Sequence, residues 1–109
     1  MSHSIAWIAL VVAGLLDVGW AISMKYAEGY TRLGWTLVSL VLLAAFVFLL
    51  GRALQVLGVG VAYTVWTGIG AAGTLVMGIW LFGEALSALK VAGIVLIISG
   101  IVALKFAPG

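Results

Sequence analysis

The order of hydrophobic and polar positions divides the chain into long apolar runs separated by short polar breaks. From Ile5 to Met24 the residues are apolar apart from Asp17, Ser23 and a few glycines. The run ends at Lys25-Tyr26-Ala27-Glu28-Gly29, where charge and a glycine predict a turn. Between Arg32 and Arg52 no ionisable group occurs, which predicts a second run over 33–51. The uncharged stretch 53–83 is too long for one crossing, and Gly58-Val59-Gly60 supplies the break, so a third run is expected over about 61–82. The fourth begins at Ser87, a candidate N-cap, and reaches Phe106, with Lys90 and Lys105 long enough to snorkel from its ends. A helix crosses a hydrocarbon core of about 30 Å with about 20 residues, and each run has roughly that length.

Stretches such as Leu37-Val38-Ser39-Leu40-Val41-Leu42-Leu43 lack the alternation that a membrane strand requires. In lipid, moreover, a helix satisfies its own backbone N–H and C=O groups. The expectation is an all-α membrane protein: one domain over 1–109 with four transmembrane helices at about 5–24, 33–51, 61–82 and 87–106, and no extramembrane domain. The single proline, Pro108, lies in the tail, so no span is kinked by proline.

Composition strengthens this reading. Hydrophobic residues make up 66% of the chain and charged residues 7%, against about 25% charged in soluble domains. A soluble fold of this size would expose large apolar patches. The net charge of +2 is small and scattered, which argues against nucleic-acid binding. With no cysteine there is no disulfide or thiol chemistry. Met1 to Ser4 carry no Lys or Arg and no small-residue cleavage site follows, so the first run is expected to be a retained span. Arg52 and Lys105 fall on one side of the membrane and Lys25, Arg32 and Lys90 on the other. That near balance gives the positive-inside rule little to act on, so insertion in both orientations and one weakly set orientation both stay open.

Of the charged residues only Asp17 stands in the interior of a span, away from its ends. It lies about 18 Å along the helix from Ile5, near the midplane, where an ionised carboxylate costs at least about 3 kcal/mol. Residues three, four and seven away share its face: Leu10, Ala13, Gly14, Trp20, Ala21 and Met24. Small residues there are expected to leave a hollow, and Trp20 offers an indole N–H or a π-face. On the third run Tyr63, Trp66, Thr67 and Gly70 form a comparable stripe. An acid ringed by Trp and Tyr in an apolar cavity is a candidate site for a cation and for protons; a protonated acid bonded to a neighbouring helix is the structural alternative. Gly68-Ile69-Gly70-Ala71-Ala72-Gly73 spells a dinucleotide fingerprint but has no βαβ context, so its glycines are assigned to close helix approach or to a bend. In the fourth run Gly93 and Gly100 flank Leu96 and Ile97, a flat stripe suited to a dimer contact.

Over essentially its full length the chain resembles the small multidrug resistance transporters. The resemblance rests on Ala13-Gly14-Leu15-Leu16-Asp17-Val18-Gly19-Trp20-Ala21, on Lys25-Tyr26 and Gly29-Tyr30-Thr31-Arg32-Leu33, on Gly60-Val61-Ala62-Tyr63-Thr64-Val65-Trp66-Thr67-Gly68-Ile69-Gly70, on the Gly83-Glu84 turn and on the fourth-run glycines. Trp66-Thr67-Gly68-Ile69-Gly70-Ala71 and Leu104-Lys105 are more similar to the guanidinium-exporter branch than to the quaternary-ammonium branch. The resemblance implies an antiparallel, dual-topology dimer in the plasma (inner) membrane. In it Asp17 would replace the family's glutamate, Gly14, Trp20, Tyr63 and Trp66 would line the site, and Gly93, Leu96, Ile97 and Gly100 would form the dimer contact. Three positions depart from the pattern. Asp17 is one methylene shorter than glutamate, Phe46 stands where a serine helps to orient the acid, and Gly58 stands where a proline is common. The first two changes raise the alternatives of a different cation or a paired, heterodimeric subunit.

The activity so implied is exchange of a small organic cation for protons, with two Asp17 side chains sharing one cavity and titrating interdependently. Guanidinium, planar and weakly hydrated, suits carboxylates and aromatic faces. Export of quaternary-ammonium or polyaromatic cations, a lipid-linked sugar flippase subunit, and a non-transporting membrane subunit are the alternatives. Neither a base–nucleophile pair nor a metal-ligand set lies within the spans, and no cofactor or enzyme activity is expected.

Overall fold

The computed structural model describes residues 2–107; Met1 and Pro108 lie outside the described residues. Among these residues all regular structure is helical: α1 (His3–Tyr26), α2 (Leu33–Ala53), α3 (Val59–Leu81) and α4 (Ala88–Phe106). All four are long and apolar enough to cross a membrane. Caps set the starts of two of them. Ser2 Oγ accepts from the Ile5 amide at 3.1 Å and Ser87 Oγ accepts from the Lys90 amide at 3.2 Å, each satisfying one of the amides that a helix start leaves free. The α1–α2 turn is tighter than its composition suggests, because Glu28, Gly29 and Tyr30 all have positive φ, of 50°, 70° and 67°. Thr31 Oγ1 steadies it by donating to the Glu28 carbonyl at 2.8 Å.

The helices lie side by side in the order α2, α1, α3, α4, with α1 and α3 parallel. α1 packs extensively on α2 and α3, whereas the backbone of α4 approaches α3 alone. The result is a slab of 44 × 34 × 16 Å measured over Cα atoms, too thin for a closed four-helix bundle. A hydrophobic core gathers at one end, where Ala6, Trp7 and Leu10 of α1 meet Ala53 and Leu57 at the end of α2 and Ala62 and Val65 of α3, with the Trp7 indole N–H buried among them without a partner. Lys105 closes that end, its ammonium 5.4 Å from the Trp7 ring centroid and 5.3 Å from that of Phe106. An apolar groove of about 570 Å³, lined by Val18, Ile22, Ile69, Val76, Ile94 and Ile98 among others, runs between α1 and α4 over α3. No residue of α4 is buried.

The glycine-rich stretch of α3 explains how the slab holds together. α3 runs through it without interruption, so the glycines serve close approach and not a bend. Gly68 lies under Ile97 and Ile101 of α4, and a Cβ there would stand 3.2 and 3.1 Å from their side chains. Gly73 lies under Val18 of α1, with a Cβ only 2.6 Å from Cγ2. Gly70, between them, faces Asp17. In lipid, helix association depends on such close contact and not on hydrophobic expulsion. Replacing Gly73 with Ala is therefore expected to cost about 1–3 kcal/mol of unfolding free energy in detergent. Adding Val18→Ala should recover part of that loss, and an undiminished stability of G73A would show the seam to be loose.

Candidate functional site

Asp17 is positioned by the seam between α1 and α3. Its half-buried side chain lies directly on Gly70, where a Cβ would overlap Oδ2. One turn before, Gly14 makes the same accommodation: a Cβ there would lie 2.6 Å from Ile69 Cγ2 and 3.6 Å from the Trp66 carbonyl oxygen. The hollow expected from the small residues around the acid is thus not present within one chain. Those residues are small so that α1 and α3 can interlock, and the space a side chain would have filled is taken by Ile69, Val18 and the carboxylate itself. The side-chain hydrogen bonds of the spans lie elsewhere, with Ser23 donating to the Trp20 carbonyl at 2.8 Å and Ser39 to the Thr36 carbonyl at 2.7 Å. Among the described residues no donor reaches the Asp17 carboxylate.

The aromatic residues assemble in an order set by α2. Phe46 is 4% exposed and sits between two tryptophans. Its centroid lies 5.6 Å from that of Trp20, at an interplanar angle of 58°, and 5.6 Å from that of Trp66, at 27°. Tyr63 continues the chain, meeting Trp66 edge-on at 5.4 Å. The four rings therefore run from α1 across α2 to α3, within the favourable range for aromatic contact. The indole N–H of Trp66 is buried and has no hydrogen-bond partner, an arrangement that normally costs about 1–3 kcal/mol.

The expected site residues thus divide. Gly14, Asp17, Trp20 and Trp66 share the α1–α3 neighbourhood. Tyr63 is 58% exposed and, with Thr64, Thr67 and Gly68, lines a second groove of about 480 Å³ between α3 and α4, its ring meeting that of Trp66. On α4 the stripe divides as well. Ile97 is occupied against Gly68, whereas Leu96 is 72% exposed and a Cβ at Gly93 or Gly100 would meet nothing within 4 Å. Phe46 as the centre of the ring chain was not legible in sequence, because α2 is apolar on every side and its periodicity does not reveal which face turns inward. Its one sequence signal was the departure from a serine.

Chemically, the arrangement presents a carboxylate without a donor on the α1–α3 seam and a chain of aromatic rings across α1, α2 and α3 in an apolar slab. That combination suits a weakly hydrated cation able to donate hydrogen bonds.

The chain matches the family model described as Small Multidrug Resistance protein over residues 5–97. It is 52% identical over 102 residues to a protein named guanidinium exporter from Yersinia pseudotuberculosis, covering 94% of this chain and 98% of that one. Proteins of the same name from Salmonella typhimurium and Escherichia coli are 44% identical over 100 residues, covering 92% of this chain and 95% of each. With the acid of α1 seated on a glycine of α3 in a four-helix membrane chain, and with a match that runs through all four helices, the chain belongs to the small multidrug resistance family.

Proposed function

We propose that the protein is a proton-coupled antiporter that exports guanidinium or a similar small organic cation across the plasma membrane. The observation that carries this reading is the Asp17 carboxylate, seated in the α1–α3 seam without a donor of its own chain. The relatives named guanidinium exporter supply the substrate class. A carboxylate near mid-membrane has two ways to lose its charge, by taking a proton or by pairing with a cation. The two exclude each other at one site. A protein that moves Asp17 between the two membrane faces therefore exchanges one for the other.

The same reading calls for a second copy. A slab with α4 unburied and the acid near an open face is half of a cavity, and an antiparallel partner would place a second Asp17 opposite the first. The exposed Leu96, Gly93 and Gly100 are the part of the α4 stripe free for that contact, while Ile97 supports it from beneath through Gly68. In an antiparallel pair the inward-open and outward-open states are equivalent by symmetry, so neither is stabilised over the other by the protein itself.

A second reading within transport follows from Phe46. Its ring removes the hydroxyl that a serine would supply and adds apolar area beside Trp66, which favours alkylated or aromatic cations over bare guanidinium.

In proteoliposomes, Asp17→Asn is expected to abolish proton-driven uptake and cation-evoked currents, and coupled transport surviving the change would overturn the antiport reading. Phe46→Ser should raise the current ratio of guanidinium to tetraalkylammonium about tenfold, in line with the discrimination that one polar contact or a few methylenes provide. It should also lower stability by about 3 kcal/mol, because a buried ring is lost. A competition panel of the two ions measures the first effect and detergent unfolding the second. A cysteine at Gly100 should crosslink between copies inserted in opposite orientations, and protection of that cysteine in a monomer would exclude the α4 contact.

A further inference from the structure

Two helical turns beyond Asp17, the α1–α3 seam opens into a polar pocket that the antiport mechanism does not use. Its volume is about 290 Å³, and its lining includes Ala21, Lys25, Thr74, Gly78, Phe82 and Glu84. The spacing follows from the helices: Ala21 and Lys25 are four and eight residues after Asp17, and Thr74 and Gly78 are four and eight after Gly70. The pocket floor is thus the same seam, displaced about 12 Å toward the C-terminal ends of α1 and α3.

Glu84 is built into this place. Gly83 takes a positive φ of 67°, which glycine alone adopts without strain, and it turns the chain back so that the Glu84 amide donates to the Gly78 carbonyl at 3.3 Å. The carboxylate then rests on Gly78, where a Cβ would lie 2.6 Å from Oε2. A carboxylate at that position faces the negative end of the α3 dipole, and the C-terminus of α1 lies alongside. Each end is equivalent to roughly half a negative charge. Such a pocket attracts cations, and the chain already keeps one there. The Lys25 ammonium lies over the Phe82 ring, 5.9 Å from its centroid. Among the described residues no ion pair joins Lys25 to Glu84. The other nearby ammonium, on Lys90, is occupied by the Ala85 carbonyl at 2.6 Å.

We infer that the pocket bounded by Lys25, Thr74, Phe82 and Glu84 is an outer receiving site for the transported organic cation, in which the Lys25 ammonium occupies the place the cation takes. The inference rests on the antiport reading. A planar cation enters between the Glu84 carboxylate and the Phe82 face and displaces Lys25. Asp17 lies about 12 Å further along the same two helices, beyond the closed contact of Val18 on Gly73, so a cation held here passes to it only when that contact opens. In an antiparallel pair one such pocket opens on each side of the membrane, so cations meet the same receiving site from either face.

The test uses purified full-length protein in proteoliposomes, with guanidinium as the probe and currents recorded over a range of concentrations at low and high ionic strength. Glu84→Gln is expected to raise the half-saturating guanidinium concentration about fivefold at low ionic strength, with the difference shrinking as salt screens the pocket. Glu84→Asp should restore much of it, and Lys25→Gln should lower the half-saturating concentration by removing the competitor. An unchanged half-saturating concentration in E84Q would overturn the assignment, as would a shift in the same direction for E84Q and K25Q, which marks a merely structural role. Asp17→Asn recorded alongside separates the two levels. Currents that survive D17N remove the antiport reading, whereas a silent D17N with an unshifted E84Q removes only the receiving site.

Discussion

A carboxylate set midway along a lipid-crossing helix has to be covered by protein, and the closeness of α1 to α3 follows from that. Asp17 is accommodated because Gly70 has no side chain, and Gly14 and Gly73 hold the two helices at the same short distance on either side of it. Three glycines and one acid thus form one unit. A methyl group at any of the three would have to push the helices apart, and a wider seam would admit lipid or water to the carboxylate. The same contact brings the α3 tryptophan into line with the aromatic residues of α1 and α2.

The flatness of the molecule follows from where the small residues are placed. Gly68 faces α4, whereas Gly70 and Gly73 face α1 from the other side of α3, so α3 joins its neighbours edge to edge and not around a central axis. In water such a slab would collapse to hide its apolar faces; in lipid those faces are already solvated, and only close packing and polar groups reward association. Three groups gain nothing from lipid: the acid and the unpartnered indole N–H groups of Trp7 and Trp66.

Phe46 shows how one substitution redistributes such a site. A serine at this place would put a hydroxyl among the rings. The ring instead joins Trp20 to Trp66 and makes one continuous aromatic wall. The wall gains apolar area and loses a donor.

Much was legible from residue order alone, for physical reasons that act locally. Charges end spans because lipid excludes them, which located three of the four helices; the break before α3, expected at Gly58-Val59-Gly60, falls just ahead of it, and Val59 and Gly60 already belong to α3. Ser87 caps α4 because its hydroxyl suits the first free amides, and Asp17 stood out because its cost in a membrane demands a function. Residues on the shared face of Asp17 could also be named from helical spacing. What helical spacing cannot supply is which neighbour occupies the far side of a gap. The small residues beside Asp17 read equally as a hollow or as a tight seam, and only the placement of Ile69 and Gly70 decided for the seam. In an all-apolar helix the inward face leaves no periodic trace, so the position of Phe46 between two tryptophans emerged only in three dimensions. The same holds for Glu84, whose return onto Gly78 depends on the backbone turn at Gly83 and on the register of α3 against α1. The sequence by itself determined the solvent, the helices and the acid; the tertiary structure decided what touches the acid, because contact across helices depends on packing between distant segments.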